Sequence, residues 1–320
     1  MTAVPPYDTQ LAEAFAAVAG TTAGLEPPAV IETVRGLFRE LEQPLDALLA
    51  GTSVEHAEHR VPGPAGAQDV LVSVFSRRDA APGPALVYFH GGGLVAGTRL
   101  TGIESLIDWV DRLGIVVVSV EYRLAPEHPD PAPRDDCYAA LLWTWAHAAE
   151  LGIDARRLGV IGGSAGGGLA AGVALRARDE AGPHLATQML ICPMLDHRSG
   201  SVSSAQFAHT GGWDTVTIQA AWAAALGEDH ASGAVSAYAS PALAADLGGL
   251  PPTYLDVGSA EVFRDEVVSY ASGIWAAGGV ADLHVWAGGF HGFDGTVPTA
   301  RVSQASVAAR EAWVQRMLLA

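Results

Sequence analysis

Hydrophobic positions along the chain change their period near residue 54. Before that point they recur at helical spacing. Leu11, Phe15 and Val18 share one face, and after the Pro27-Pro28 break Val30, Val34, Leu37, Phe38 and Leu41 repeat the pattern. Residues 7–50 are therefore predicted helical. From Val54 onward short β-like runs take over: residues 70–75, then, past a Pro-Gly turn, 86–89, 115–120, 158–161, 188–192, 253–257 and 282–286. The run from Ile115 to Val120 is almost continuously apolar, as a strand buried on both faces requires. Helical patterns separate the later runs, over residues 102–113, 134–151, 165–181, 262–277 and 298–319. Strand and helix alternating in this way predict an α/β fold with a mostly parallel sheet covered on both sides. Residues 195–227 break the rhythm, polar at first and then helical with Trp213 and Trp222, and read as an insertion. With no internal repeat and no low-complexity linker, residues 1–320 are expected to form one domain.

Composition narrows the chemistry. At 320 residues and 49% apolar, the chain can bury a large core. A formal net charge of -17 argues strongly against nucleic-acid binding, which needs clustered cations against phosphate. All 18 basic residues are Arg, so lysine Schiff-base and Ser-Lys chemistries are excluded as well. Cys137 and Cys192 sit in apolar segments without a CxxC partner and read as free thiols rather than a disulfide. The apolar stretch 11–18 is short and carries Glu13, and no basic residue precedes Arg35. Neither a secretory signal nor a membrane span is expected, and a cytoplasmic protein follows by default.

In an open α/β sheet, ligands bind beyond the carboxyl ends of the strands, so the residues after each run carry the candidate chemistry. Gly162-Gly163-Ser164-Ala165-Gly166 follows Val160-Ile161 and fits G-x-S-x-G. That motif sets a nucleophilic serine on a strained strand-to-helix turn, and small flanking residues let strand and helix approach. The helix N-terminus behind it offers amide donors to a developing oxyanion. A competing reading, a dinucleotide loop through Gly166, Gly168 and Ala171, lacks the acidic residue about 20 positions on that such a site requires. His90-Gly91-Gly92-Gly93 follows another strand and matches an HGGG-type oxyanion loop, with backbone amides that no side chain obstructs. Among eleven histidines, His56 and His59 would point to opposite faces of a strand, which argues against a shared metal ion. His291 instead follows the last strand in a Gly-flanked loop, on the same sheet edge as Ser164, and is the candidate base.

Taken together, His90-Gly91-Gly92-Gly93, the string Glu121-Tyr122-Arg123-Leu124-Ala125-Pro126-Glu127-His128-Pro129, Gly162-Gly163-Ser164-Ala165-Gly166-Gly167 and His291-Gly292-Phe293 resemble the hormone-sensitive-lipase family of bacterial esterases and lipases. They occur in the family's order and span most of the chain. The resemblance implies the α/β-hydrolase fold: an eight-stranded, mostly parallel sheet flanked by helices, with a helical cap. The cap would comprise about residues 1–50 and 195–227, and the catalytic core about 51–194 and 228–320. It implies oxyanion donors at Gly92, Gly93 and Ala165. Where the family usually places Asp-Pro-Leu-x-Asp-Glu, this chain has Glu261-Val262-Phe263-Arg264-Asp265-Glu266, which makes Glu261 the candidate acid. Asp256, Asp265, Glu266 and Asp294 are its rivals. Gly163 stands where the family often has an acidic residue.

The expected activity is hydrolysis of short- to medium-chain carboxylic esters through an acyl-enzyme, with a small-molecule ester as substrate and neither cofactor nor metal required. A lactone, another specialised ester or an amide would suit the same residues. A non-catalytic small-molecule-binding protein on the same fold is the alternative of another class, and the presence of His291 argues against it. Phe207, Trp213 and Trp222 are candidates to line the substrate site, with an ordinary core role as the alternative. The resemblance also implies homodimers through an exposed last strand and helix.

Overall fold

A computed structural model describes residues 3–18, 24–64, 66–78, 81–211 and 213–320. Residues 19–23 of the expected N-terminal helical stretch lie outside that set, as does the side chain of Val18. Eight strands, β1 (Val54–Val61), β2 (Val70–Arg77), β3 (Gly83–Phe89), β4 (Val116–Glu121), β5 (Ile153–Gly163), β6 (Thr187–Ile191), β7 (Thr253–Gly258) and β8 (Ala281–Trp286), form one sheet in the order β1-β2-β4-β3-β5-β6-β7-β8. β2 runs antiparallel to β1 and β4, and every pairing from β4 to β8 is parallel. All the strands from β3 to β8 consequently end on one edge.

The alternation of side chains along the strands decides which helices pack where. Val87 and Phe89 of β3 and Val118 of β4 face a layer containing the helices Ala132–Ala146, Ala165–Asp179 and Arg264–Ala276. Leu86 and Tyr88 of β3 and Val117 of β4 face the opposite layer, built from Glu104–Leu113 and Arg301–Val314. β3 is buried at every position, which is why its sequence shows no polar alternation.

Over the carboxyl edge lie the N-terminal helices, chiefly Pro27–Leu41, and the inserted helices Val202–Gln206 and Thr215–Leu226. Pro27 opens its helix at a position where a missing N–H costs nothing. Val30, Ile31 and Val34 bury against the same core as Ile218 and Trp222. The apolar stripe is shorter than its spacing suggests: Leu37 is exposed, and Leu41 is 76% exposed. Phe38 instead packs toward the edge of the sheet, where a Cβ on Gly92 would come 3.2 Å from its ring. Arg35 ties this helix down, donating to the carbonyls of Val95 and Ala125 and pairing with Glu127. The insertion continues past Gly227 as a short helix, Glu228–Ser232.

Candidate active site

β5 runs to Gly163 and the next helix begins at Ala165, leaving Ser164 alone at the turn with φ +55° and ψ -121°. A non-glycine residue in that region is strained, and the surroundings hold it there. The Ser164 N–H donates to the carbonyl of Ile191, and its carbonyl accepts from Gly168 and Met194. The turn requires glycine at its shoulders. A Cβ on Gly162 would lie 2.1 Å from the Gly166 carbonyl oxygen, and one on Gly166 would lie 1.9 Å from that of Phe89. The Cα faces of Gly166 and Gly168 are thus closed by protein backbone, so this loop has no room for the pyrophosphate of a dinucleotide.

The loop after β8 brings His291 to this turn. Its Nε2 lies 3.0 Å from the Ser164 hydroxyl across 127 residues of sequence. Its Nδ1 lies 2.5 Å from Glu261 Oε2. The other Glu261 oxygen accepts the Gly258 N–H at 3.1 Å, and the carboxylate is 3% exposed. The loops after β7 and β8 are laced together. Ser259 donates to the Trp286 carbonyl, Ala260 to that of Gly289, and the Gly288 N–H donates to the Ser259 hydroxyl.

Each rival carboxylate is bonded elsewhere. Asp256 accepts from Arg310 Nε at 2.7 Å and from the Tyr254 hydroxyl. Asp294 pairs with the same guanidinium. Asp265 accepts the Ser203 N–H and pairs with Arg264. Glu266 accepts the N–H groups of Leu195 and Asp196, and burial pushes its carboxyl well above the usual carboxylate range.

Beside the serine runs the glycine loop. Gly92 and Gly93 have φ values of +119° and +64°, and among the described residues neither donates a backbone hydrogen bond. Two buried, unengaged donors beside Ser164 are costly unless something else uses them. Gly91 packs closest to Ser164, where an added Cβ would come 3.5 Å from the serine Cβ. The Ala165 amide occupies the first position of its helix, where no intrahelical acceptor exists. His90 shapes the loop rather than reacting. Its Nδ1 meets the Gly91 carbonyl, its ring stacks on Tyr122 at 4.1 Å, and burial lowers its pKa to about 4. The Tyr122 hydroxyl donates to the His90 carbonyl, which gives the Glu121-Tyr122-Arg123 string a structural use.

Of the three aromatic candidates in the insertion, Trp213 comes to the centre. Its ring lies 6.2 Å from that of His291 and 6.2 Å from Phe38, and a Cβ on Gly93 would approach it to 2.9 Å. Phe207 and Trp222 are each 1% exposed and pack within the main core, the ordinary role for such side chains. Two aromatic neighbours carried no sequence signal of their own: Phe38, hidden in a helical stripe, and Phe263, whose ring meets the His291 edge at 5.2 Å. Cys192 was equally silent. Its thiol, a Glu261 oxygen and a His291 nitrogen lie within 4.8 Å of one another. Both cysteines are free, and His56 and His59 make separate contacts, with Ser73 and Trp143.

A family model described as alpha/beta hydrolase fold matches residues 86–295. The chain is 37% identical over 227 residues to Esterase LipI of Mycobacterium tuberculosis, covering 69% of this chain and 70% of that one. Hormone-sensitive lipase of Homo sapiens is 44% identical over 92 residues, which cover 29% of this chain and 9% of that protein. A solved structure titled Bacterial Heroin Esterase superposes with a TM-score of 0.90 at 38% identity, covering 99% of each chain. The chain belongs to the hormone-sensitive-lipase family of α/β-hydrolase-fold esterases. Carboxylic ester hydrolysis is accordingly its reaction class. The carboxylate that faces His291 is a glutamate, Glu261. At Gly163 an added Cβ would meet nothing within 4 Å, so the space beside Ser164 is open on that side. Among the described residues, no helix is long and apolar enough to cross a membrane.

Proposed function

We propose that this esterase cleaves short- to medium-chain carboxylic esters by two-step acyl transfer. Ser164 is the nucleophile, His291 the general base and then acid, and Glu261 the group that orients the imidazole. The observation that carries this reading is the continuous chain Ser164–His291–Glu261–Gly258 N–H, with contacts of 3.0, 2.5 and 3.1 Å. A carboxylate on Nδ1 keeps that nitrogen protonated and Nε2 free to accept the serine proton, and it stabilises the imidazolium that forms. As Ser164 attacks the ester carbonyl, the N–H groups of Gly92, Gly93 and Ala165 receive the oxyanion. His291 then returns the proton to the departing alcohol. Water repeats the sequence to release the acid and free the serine.

The helices within residues 1–50 and 195–227 act as a cap over this centre. Trp213 and Phe38, wedged against the glycine loop, limit the length of acyl chain that fits. The test is Ser164→Ala with p-nitrophenyl acetate and butyrate, alongside fluorophosphonate labelling. We expect turnover to fall by at least about 10³-fold and labelling to vanish, with the thermal unfolding midpoint retained. Activity surviving the substitution removes Ser164 from the mechanism. An acyl-length series of p-nitrophenyl esters then tests the short-chain preference, which fails if octanoate is cleaved as efficiently as butyrate.

A further inference from the structure

Cys192 has no part in acyl transfer, yet it stands against the groups that do. It follows β6 with φ +37°, its N–H donates to the Asp256 carbonyl at 2.7 Å, and its neighbour Ile191 accepts the Ser164 N–H. The residue therefore shares the backbone ladder that carries Ser164, and its thiol lies against the His291–Glu261 pair. Sulfur, imidazole nitrogen and carboxylate oxygen within 4.8 Å of one another form a mixed soft and borderline donor set. That is the set zinc and its heavier congener cadmium prefer.

We propose that Cys192, His291 and Glu261 form an inhibitory site for a soft divalent cation, Zn²⁺ or Cd²⁺, inside the catalytic centre. A tetrahedral zinc ion with bonds of about 2.0–2.3 Å sets its ligands roughly 3.2–3.8 Å apart. The widest separation in the cluster, no more than 4.8 Å, has to close by at most about 1 Å, and the 2.5 Å contact between His291 and Glu261 has to open by a similar amount. The ion enters where the Nδ1 proton lies. The balance starts from the neutral, active ring: the thiol loses its proton to solvent, and the imidazole moves its proton from Nδ1 to Nε2. Nε2–H cannot accept the Ser164 proton. Inhibition follows from the wrong tautomer, with the substrate opening left unblocked. The consequence for turnover rests on the acyl-transfer reading above, whereas the binding itself does not.

The experiment separates the two. Cd²⁺ is titrated into the wild-type protein and into its Cys192→Ala, Cys137→Ala and Ser164→Ala variants, following the ultraviolet thiolate-to-metal charge-transfer band. Zn²⁺ inhibition of p-nitrophenyl butyrate hydrolysis is measured in parallel on the active variants. The band is expected at one equivalent in all proteins except Cys192→Ala, including the catalytically silent Ser164→Ala. Saturating Zn²⁺ should lower wild-type turnover by at least about 100-fold. The half-inhibiting concentration should rise at least about tenfold in Cys192→Ala. A missing band in the wild type, or equal inhibition with and without Cys192, overturns the site. A band without inhibition leaves the metal site standing and sinks the role given to His291. Should Cys192→Ala fail to fold, Zn²⁺ protection of Cys192 against iodoacetamide in the wild type decides the matter, and unprotected alkylation refutes the site.

Discussion

Glu261→Gln is the sharpest perturbation this site allows, because a neighbouring backbone group dictates how the new amide must sit. In the wild type Oε1 accepts the Gly258 N–H at 3.1 Å while Oε2 faces His291 Nδ1 at 2.5 Å. A glutamine has one acceptor oxygen and one NH2 group. The Gly258 N–H can be satisfied only by the oxygen, so the NH2 group turns toward His291. Nδ1 must then accept, its proton shifts to Nε2, and the nitrogen facing Ser164 at 3.0 Å can no longer act as base. The equivalent loss of tautomer control in a serine protease costs about 10⁴ in kcat, or about 5.5 kcal/mol at 1.36 kcal/mol per decade. We expect a loss of that order for p-nitrophenyl butyrate. KM should stay within about threefold, because the substrate touches none of the altered atoms. Shape and volume are conserved, so the urea unfolding midpoint should barely move. A variant keeping more than a tenth of wild-type kcat would refute the argument, and it would refute it outright if Asp256→Asn or Asp294→Asn proved more damaging while remaining folded.

Three other outcomes follow from the same geometry. Burial opposes charging of His291, but the Cys192 and Glu261 side chains beside it more than offset that, and the pKa stands well above 6.5. Only the neutral ring is a base, so kcat/KM should rise with pH through a midpoint alkaline of 6.5, and an acid limb at or below 6.5 would contradict this. By linkage, the same shift stabilises the fold below about pH 6.5, and that contribution is lost as pH rises through the folded-state pKa. Arg310→Met leaves Asp256 and Asp294 without their cation in a site where the guanidinium is 7% exposed, and should cost about 3–5 kcal/mol in urea unfolding. A change below about 1 kcal/mol would show that solvent already screens these carboxylates. Trp213→Ala removes the indole from the glycine loop and should raise kcat/KM for p-nitrophenyl octanoate relative to butyrate by about tenfold. An unchanged ratio takes Trp213 out of the acyl pocket.

What could be read along the chain was whatever a local pattern enforces. β3 and β4 are buried on both faces, so their runs are nearly pure hydrophobe and unmistakable. β5 is longer than its apolar run, because its first half carries Asp154, Arg156 and Arg157, with both arginines pairing to the Asp154 carboxylate, and shows no alternation. The helix predicted over 134–151 spans Ala132–Ala146 instead, and the remaining residues form turns leading into β5. Ser164 and His291 announce themselves because an abrupt turn and a glycine-flanked loop need particular small residues nearby. Glu261 stood out from its rivals only through its place in a string, and the physical reason lies in pairings that no local pattern records. Arg310 claims both Asp256, 54 positions away, and Asp294, 16 positions away. Phe38 and Cys192 look like any other apolar residue until the fold sets one against Gly92 and the other against His291.

The placement of His291 raises a mechanical problem that the N-terminal segment answers. Its loop hangs from β8, which among the described residues pairs only with β7 and has Val285 at 43% exposure. Edge strands fray more readily than central ones, whereas a base must keep its nitrogen within a few tenths of an ångström of the serine oxygen. The chain's first residues supply the restraint. The Asp8 N–H donates to the Gly288 carbonyl at 3.1 Å, and Leu11 and Phe15 bury with Phe290 and Phe293 on either side of His291. Gly288 is glycine because the segment crosses it so closely: an added Cβ would sit 2.2 Å from the Asp8 nitrogen, in a backbone region of φ +76°. From below, Arg310 holds Asp294 three residues beyond the histidine. The segment before residue 16 therefore clamps the loop of His291, the base of the mechanism proposed above. Losing it should lower kcat through a displaced imidazole, before any effect on the acyl pocket is felt.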